Sequence, residues 1–292
     1  MNKRMQVTYY LHSGFSCAKD EVLLVFDYWL GEHRELADFR RLTLAELKQF
    51  QEIYVFISHS HPDHFDPEVL TWLGEVPVTY VIADELPADV PGVRMVCGSE
   101  VTLGEHVKVK AFDSTDLGVS FLVDLDGIRI FHAGDLNFWH WRDESTLQEI
   151  DEAEAAFRKA CEPLVGEPID LAFFPVDPRQ GRGYDAGANY FILTVKPRLL
   201  VPMHFWGRRE MAAEFARSAR CRETEVIALV RPKEQMLLEF DDTGFMSINL
   251  LNYPDAREAG VLPPSGNDDM LGMEDVFSGT DLPIDIDHNG GG

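Results

Sequence analysis

Ile53-Tyr54-Val55-Phe56-Ile57-Ser58-His59-Ser60-His61-Pro62-Asp63-His64 is an apolar, β-branched run that empties into four potential metal ligands within six residues. The run reads as a buried strand. Side chains alternate across a strand, so His59 and His61 project to the same side if the extended path continues into the motif. Pro62 has no N–H for a ladder and favours a turn, which brings Asp63 and His64 back toward the same point. Two imidazoles can then serve one ion while the carboxylate and the third imidazole serve a second. A solvated, His-rich turn is the bland alternative, and the density of ligands at a strand exit weighs against it.

Two further strand ends repeat the theme. Gly127-Ile128-Arg129-Ile130-Phe131-His132 leads into Gly134-Asp135, and Leu199-Leu200-Val201-Pro202-Met203 ends on His204. In order, spacing and strand-end placement these motifs resemble the metallo-β-lactamase-fold superfamily of metallo-hydrolases, from about residue 6 to about residue 240. Within it the chain looks most like the branch of L-ascorbate-6-phosphate lactonase and related uncharacterised Zn-dependent hydrolases. That finer resemblance rests on His12-Ser13-Gly14-Phe15, on Asp27 at the end of Val22–Phe26, and on His132-Ala133-Gly134-Asp135. The resemblance implies an α/β (α+β) fold, a four-layer αββα sandwich formed as one hydrolase domain over residues 1–250. It also implies two divalent ions on His59, His61, Asp63, His64, Asp135 and His204, with Asp135 bridging and Asp63 orienting or deprotonating the water. Such a pair of ions lowers the pKa of a shared water and yields a hydroxide nucleophile.

The chain departs from the superfamily pattern at one place. A third His is expected before the strand beginning at Gly118, where this chain reads Asp113-Ser114-Thr115-Asp116. Asp116, or less readily Asp113, is the candidate replacement, and an oxygen ligand makes Mn²⁺ or Fe²⁺ more competitive with Zn²⁺. Aspartates that merely decorate a turn are the other reading. His12, Asp27 and His132 match branch positions beside the metals and could orient the ligands. Phe138-Trp139-His140-Trp141-Arg142, with Arg179, Arg182, Tyr184 and Trp206, could line the mouth and hold an anionic substrate, although such aromatics also pack as core.

Composition narrows the partners. Across 292 residues, 45% hydrophobic, the net charge is −24, which argues against nucleic acid, whose binding draws on Lys and Arg clusters. Residues 250–292 carry nine Asp or Glu against one Arg, so 251–292 reads as an acidic, disordered tail with two short apolar patches. Four scattered cysteines suit a reducing compartment, and no run approaches the roughly 20 apolar residues of a membrane span, so the expected address is cytoplasmic. The expected partner is a small molecule, with no membrane and with homo-oligomerisation left open.

The first reading is thus a metal-dependent hydrolase of a small molecule, with a lactone or other ester ahead. A phosphodiesterase acting on a nucleotide or lipid head group is the alternative. A non-catalytic metal-binding interaction protein is a third reading, weakened because all the second-ion ligands are present.

Overall fold

The computed structural model describes residues 3–32, 40–141, 144–219 and 221–251. The acidic segment 252–292 and Arg142 lie outside the described residues.

Among the described residues, fifteen strands form two sheets. The first contains β1 (Lys3–Leu11), β2 (Gly14–Lys19), β3 (Val22–Phe26), β4 (Glu52–Ile57), β5 (Val78–Ala83), β6 (Val93–Met95), β14 (Gln235–Phe240) and β15 (Met246–Leu251), in the order β15-β14-β1-β2-β3-β4-β5-β6. The second contains β7 (Glu100–Leu103), β8 (Val107–Phe112), β9 (Ser120–Leu125), β10 (Ile128–His132), β11 (Leu171–Pro175), β12 (Leu199–Met203) and β13 (Glu225–Val226), in the reverse chain order. Aromatic pairs stitch the sheets together: Phe15 stacks on Phe173 at 4.1 Å and Phe56 meets Phe121 edge-on at 5.5 Å. Helices α2 (Leu147–Cys161), α3 (Ala186–Thr194) and α4 (Arg209–Ser218) flank the second sheet, with Phe157 and Phe191 against Phe174. This is the layered metallo-β-lactamase sandwich.

Local signals explain several elements. Asp126 and Gly127 both have positive φ, at 51° and 81°, and join β9 to β10 with Leu125 opposite Ile128, as a two-residue hairpin requires. Thr43 and Glu46 close a reciprocal capping box on α1 (Leu44–Leu47). Asp66-Pro67-Glu68 reads in sequence as an N-cap with proline at the first helical position, predicting a helix over 67–73; Asp66 does cap the turn that Pro67 opens, but the segment is 3₁₀, Pro67–Trp72. The apolar runs near 106–112 and 225–230 predict strands; the first begins at Val107, with an additional strand, β7, before it, and the second is only Glu225–Val226. Helix α3 and strand β15 were not anticipated from the sequence.

The topology decides where the site lies. Strands β3 and β4 are parallel, as are β10, β11 and β12. Their carboxyl ends therefore emerge on shared rims of the two packed sheets. Asp27, Ser58-His59, Ala133–Asp135 and His204 follow these ends directly, and Asp177 follows β11 after one residue.

Candidate metal centre

Strand β4 ends at Ile57, and Ser58 then ties the motif to the neighbouring strand. Its backbone N–H donates to Asp27 Oδ1 at 2.8 Å and its hydroxyl to Asp27 Oδ2 at 2.6 Å. That leaves the Ser58 oxygen to accept from His59 Nδ1, 2.9 Å away, so His59 Nε2 keeps its lone pair. His64 donates its Nδ1–H to Asp27 Oδ2 at 2.7 Å, and His204 donates its Nδ1–H to Asp177 Oδ2 at 2.9 Å. Each of these three imidazoles is thus anchored on one nitrogen, directly or through Ser58, to a carboxylate behind it, which fixes its tautomer and ring orientation.

The opposite nitrogens converge, and His59 Nε2 also accepts from His61 Nδ1 at 3.0 Å. His64 Nε2 lies 3.0 Å from Asp135 Oδ1, His204 Nε2 lies 3.3 Å from the same oxygen, and His59 Nε2 lies 3.6 Å from Asp135 Oδ2. Asp63 Oδ2 sits 3.9 Å from His64 Nε2 and 3.8 Å from His204 Nε2. Candidate ligand atoms fall into three overlapping groups: His12, Asp63, His64 and His204; His59, His64 and Asp135; and His61, Asp116 and Asp135. Asp135 belongs to the last two, so it stands between the ligand sets. Buried polar atoms are normally hydrogen-bonded. Here His64 Nε2, His204 Nε2 and Asp135 Oδ1 are buried without a hydrogen-bond partner, which is what donors built for a cation look like.

Electrostatics agree with that reading. Burial pushes His59 down to about 3 and His12 down to about 4, so both are neutral donors at neutral pH. Burial opposes charging of His204 too, yet the Asp135 and Asp177 carboxylates outweigh it and lift the ring to about 9. His64 is raised by Asp135 and Asp27 against the same cost of burial. Burial would raise Asp63 and Asp135, but the facing imidazoles hold both well below the usual carboxylate range. The centre gathers buried carboxylates in excess of its charged imidazoles, a field that attracts cations.

Among the flanking candidates, Asp116 Oδ2 lies 3.8 Å from His61 Nδ1, whereas Asp113 stays in its turn, its side chain accepting from Ser114 N–H. His61 and Asp116 are 42% and 37% exposed, unlike the fully buried His59 and His64, so this edge of the centre is open. His132 is buried, lies 3.7 Å from Asp27 Oδ2, pairs through Nε2 with Ser13 O, and stacks on Phe26. It can act on the ligands through Asp27.

Four expectations change. His140 is 1% exposed and its Nε2 is held by the Gly183 carbonyl, so it secures the Gly-rich loop and cannot contact a substrate at the mouth. Arg179 is not a free anion receptor, because its Nε and Nη2 grip the buried Asp177 carboxylate while its guanidinium covers Trp206 at 4.4 Å. Tyr184 spends its hydroxyl on Met211 O. His12, expected to orient ligands from outside, instead faces Asp63 across 3.0 Å.

Sequence reasoning missed Ser58, Asp177 and Trp29. Asp177 had one readable signal: it follows the end of an apolar strand, as Asp27 does. Trp139 donates its indole N–H to Asp135 O and stands edge-on to His204 at 5.6 Å. Backbone strain concentrates here as well. Among the described residues, nine non-glycine residues have positive φ, and five of them are His12, Asp27, Trp141, His204 and Trp206. Such residues cost roughly 1–3 kcal/mol each and persist where surrounding structure over-determines them.

Residues 6–154 match the family described as "Beta-lactamase superfamily domain". The UPF0173 metal-dependent hydrolase of Thermococcus onnurineus (strain NA1) is 29% identical over 175 residues, 55% of this chain and 70% of that protein. Its counterpart in Pyrococcus abyssi (strain GE5 / Orsay) is 26% identical over 218 residues, 69% of this chain and 84% of that protein. Igni18, described as a novel metallo hydrolase from Ignicoccus hospitalis KIN4/I, superposes with a TM-score of 0.59 at 20% identity, covering 82% of this chain and all of that one. At that identity the likeness is one of fold.

Proposed function

This chain belongs to the beta-lactamase superfamily, and from that premise we propose that it is a metal-dependent hydrolase opening a small lactone or other ester at a dinuclear centre. One ion would be held by His59, His61, Asp116 and Asp135, the other by Asp63, His64, Asp135 and His204. Zn²⁺ suits the imidazole-rich set, and Mn²⁺ or Fe²⁺ competes where Asp116 stands in for an imidazole. The observation that carries this reading is the set of buried, partnerless atoms His64 Nε2, His204 Nε2 and Asp135 Oδ1, each facing the others while both imidazoles are anchored behind.

Divalent ions bound there supply Lewis acidity, polarising the attacked carbonyl and bringing a water's pKa toward neutrality. The chain does the rest. Asp63 is 18% exposed against 6% for Asp135, so it is the carboxylate that can reach an incoming water, orient it and take its proton. Asp27 and Asp177 keep the imidazoles in one tautomer. Trp139, Trp141 and Trp206, all half-buried, wall the approach and offer ring faces to an apolar or planar substrate.

Two observations rank the substrates. Arg179 is already neutralised by Asp177, and the protein carries a net charge of −24, which disfavours a diffusing phosphodiester. The resemblance to the L-ascorbate-6-phosphate lactonase branch supports a cyclic ester. Metal analysis of protein purified without chelator, followed by a parallel screen of lactones, esters and phosphodiesters, tests the assignment. Asp63→Asn keeps the side-chain shape but removes the charge and basicity, so turnover of any substrate found should fall by about 10²–10⁴. Protein free of metal, or wild-type turnover in Asp63→Asn, would sink it.

A further inference from the structure

We propose that His12, in the turn between β1 and β2, is itself a metal ligand, completing with Asp63, His64 and His204 the tighter of the two ion sites. The inference rests on the metal-centre reading above and adds a donor to it. His12 is 3% exposed, and its Nε2 lies 3.0 Å from Asp63 Oδ2. His12 and Asp63 make close contact there, yet neither ring nitrogen of His12 has a hydrogen bond of ordinary geometry. The two groups border one small volume. The same volume is bordered by His64 Nε2 and His204 Nε2, and the four ligand atoms lie within 4.8 Å of one another. A buried imidazole without an in-line hydrogen bond is costly, and a cation shared with Asp63 would satisfy both groups.

The surroundings fix the ring in that direction. Its φ of 56° is a left-handed conformation that a non-glycine residue adopts only when held there. The backbone N–H of His12 donates to the buried Tyr9 hydroxyl, its carbonyl accepts from His204 N–H, and its ring packs between Trp206 at 4.5 Å and Trp29 at 5.6 Å. His204 also sits at positive φ, and the two imidazoles lie 4.0 Å apart by centroid. The two strained residues are therefore one unit, cross-tied through their backbones and aimed together.

Three imidazoles and a carboxylate, nearly all buried, form a stiffer and less hydrated donor set than His59, His61 and Asp116, two of which are more than a third exposed. The His12 set should fill first. The full-length protein, stripped with chelator and titrated with Co²⁺, reports this directly. At one equivalent, X-ray absorption should count three imidazoles on the cobalt; two or fewer would overturn the assignment, since His59 and His61 provide only two. His12→Gly accepts the left-handed backbone without strain and removes the donor. It should weaken the first equivalent of Co²⁺ by more than the roughly 10–100-fold that loss of an outer hydrogen-bond partner costs. His12→Asn, which also tolerates this backbone, serves if the glycine variant fails to fold. An affinity within threefold of wild type in either folded variant would return His12 to a packing role. Failure of wild-type protein to bind Co²⁺ at all would overturn the metal centre itself, a separate outcome.

Discussion

The carboxylate of Asp177 holds three side chains at once. Its Oδ2 accepts from His204 Nδ1, from Trp206 Nε1 at 3.2 Å and from Arg179 Nη2 at 2.6 Å, and no part of the side chain reaches solvent. A buried anion of this kind stands only because a guanidinium and an imidazole share it. Asp177→Asn should leave His204 able to flip its tautomer, lowering metal affinity by about 10–100-fold, measured by competition with a chromophoric chelator. Arg179→Ala makes the opposite split. It should cost stability, read as a lower denaturation midpoint, while metal affinity stays within a few-fold, because His204 keeps its acceptor. The residues of the linear motif were legible from spacing alone, since six consecutive residues at a strand exit cannot separate far. Asp177 was not, because it is brought to His204 only by the pairing of β11 with β12.

Among the elements, the junction between β4 and the segment before β9 is the tightest. Val119 N–H donates to Ser58 O at 3.0 Å, and Gly118 sits at φ +70° with its would-be Cβ only 1.9 Å from that same oxygen. Any side chain there must displace Ser58, whose N–H and hydroxyl hold Asp27. Gly118→Ala should therefore cost more than the roughly 1–2 kcal/mol of a left-handed alanine and should weaken metal binding too. Gly98, at φ +85° with open space around it, supplies the control: Gly98→Ala should show only the backbone cost and unchanged metal affinity. Urea denaturation and metal titration of the pair read both effects. The hairpin at Asp126-Gly127 and the caps at Thr43 and Asp66 were readable because turn and cap chemistry is local. Helix α3 was hidden because its buried residues, Gly187, Ala188, Phe191 and Ile192, include two small ones that give little periodic signal. Strand β15 buries none of its residues fully, and its short alternation, Met246-Ser247-Ile248-Asn249-Leu250, went unread beside the longer apolar runs.

For the whole molecule, the proposed metal centre predicts that metal binding and folding are coupled. Buried carboxylates and imidazoles from both sheets face one another, and ions that bind only the folded chain stabilise it by mass action. Free Zn²⁺ at about 100 times its dissociation constant should add roughly 2.7 kcal/mol per site, seen as a rise in melting temperature that chelator reverses. An unchanged melting temperature would separate the centre from the fold's stability. A chain ending at Leu251 retains the last pairing of the first sheet, Gln235 opposite Leu251. It should bind the same amount of metal as the full chain, and loss of metal on truncation would give residues 252–292 a part in the centre. Sequence by itself determined most of the strands, the turn chemistry and the candidate ligands adjacent to them, because strand periodicity, proline and glycine act over a few residues. Only the tertiary structure decided that His12 faces Asp63, that Asp116 rather than Asp113 turns toward His61, and that Arg179 is consumed by Asp177. Those outcomes depend on which strand ends the two sheets bring to one rim and on which polar atoms burial leaves without a partner, and neither is encoded in spacing along the chain.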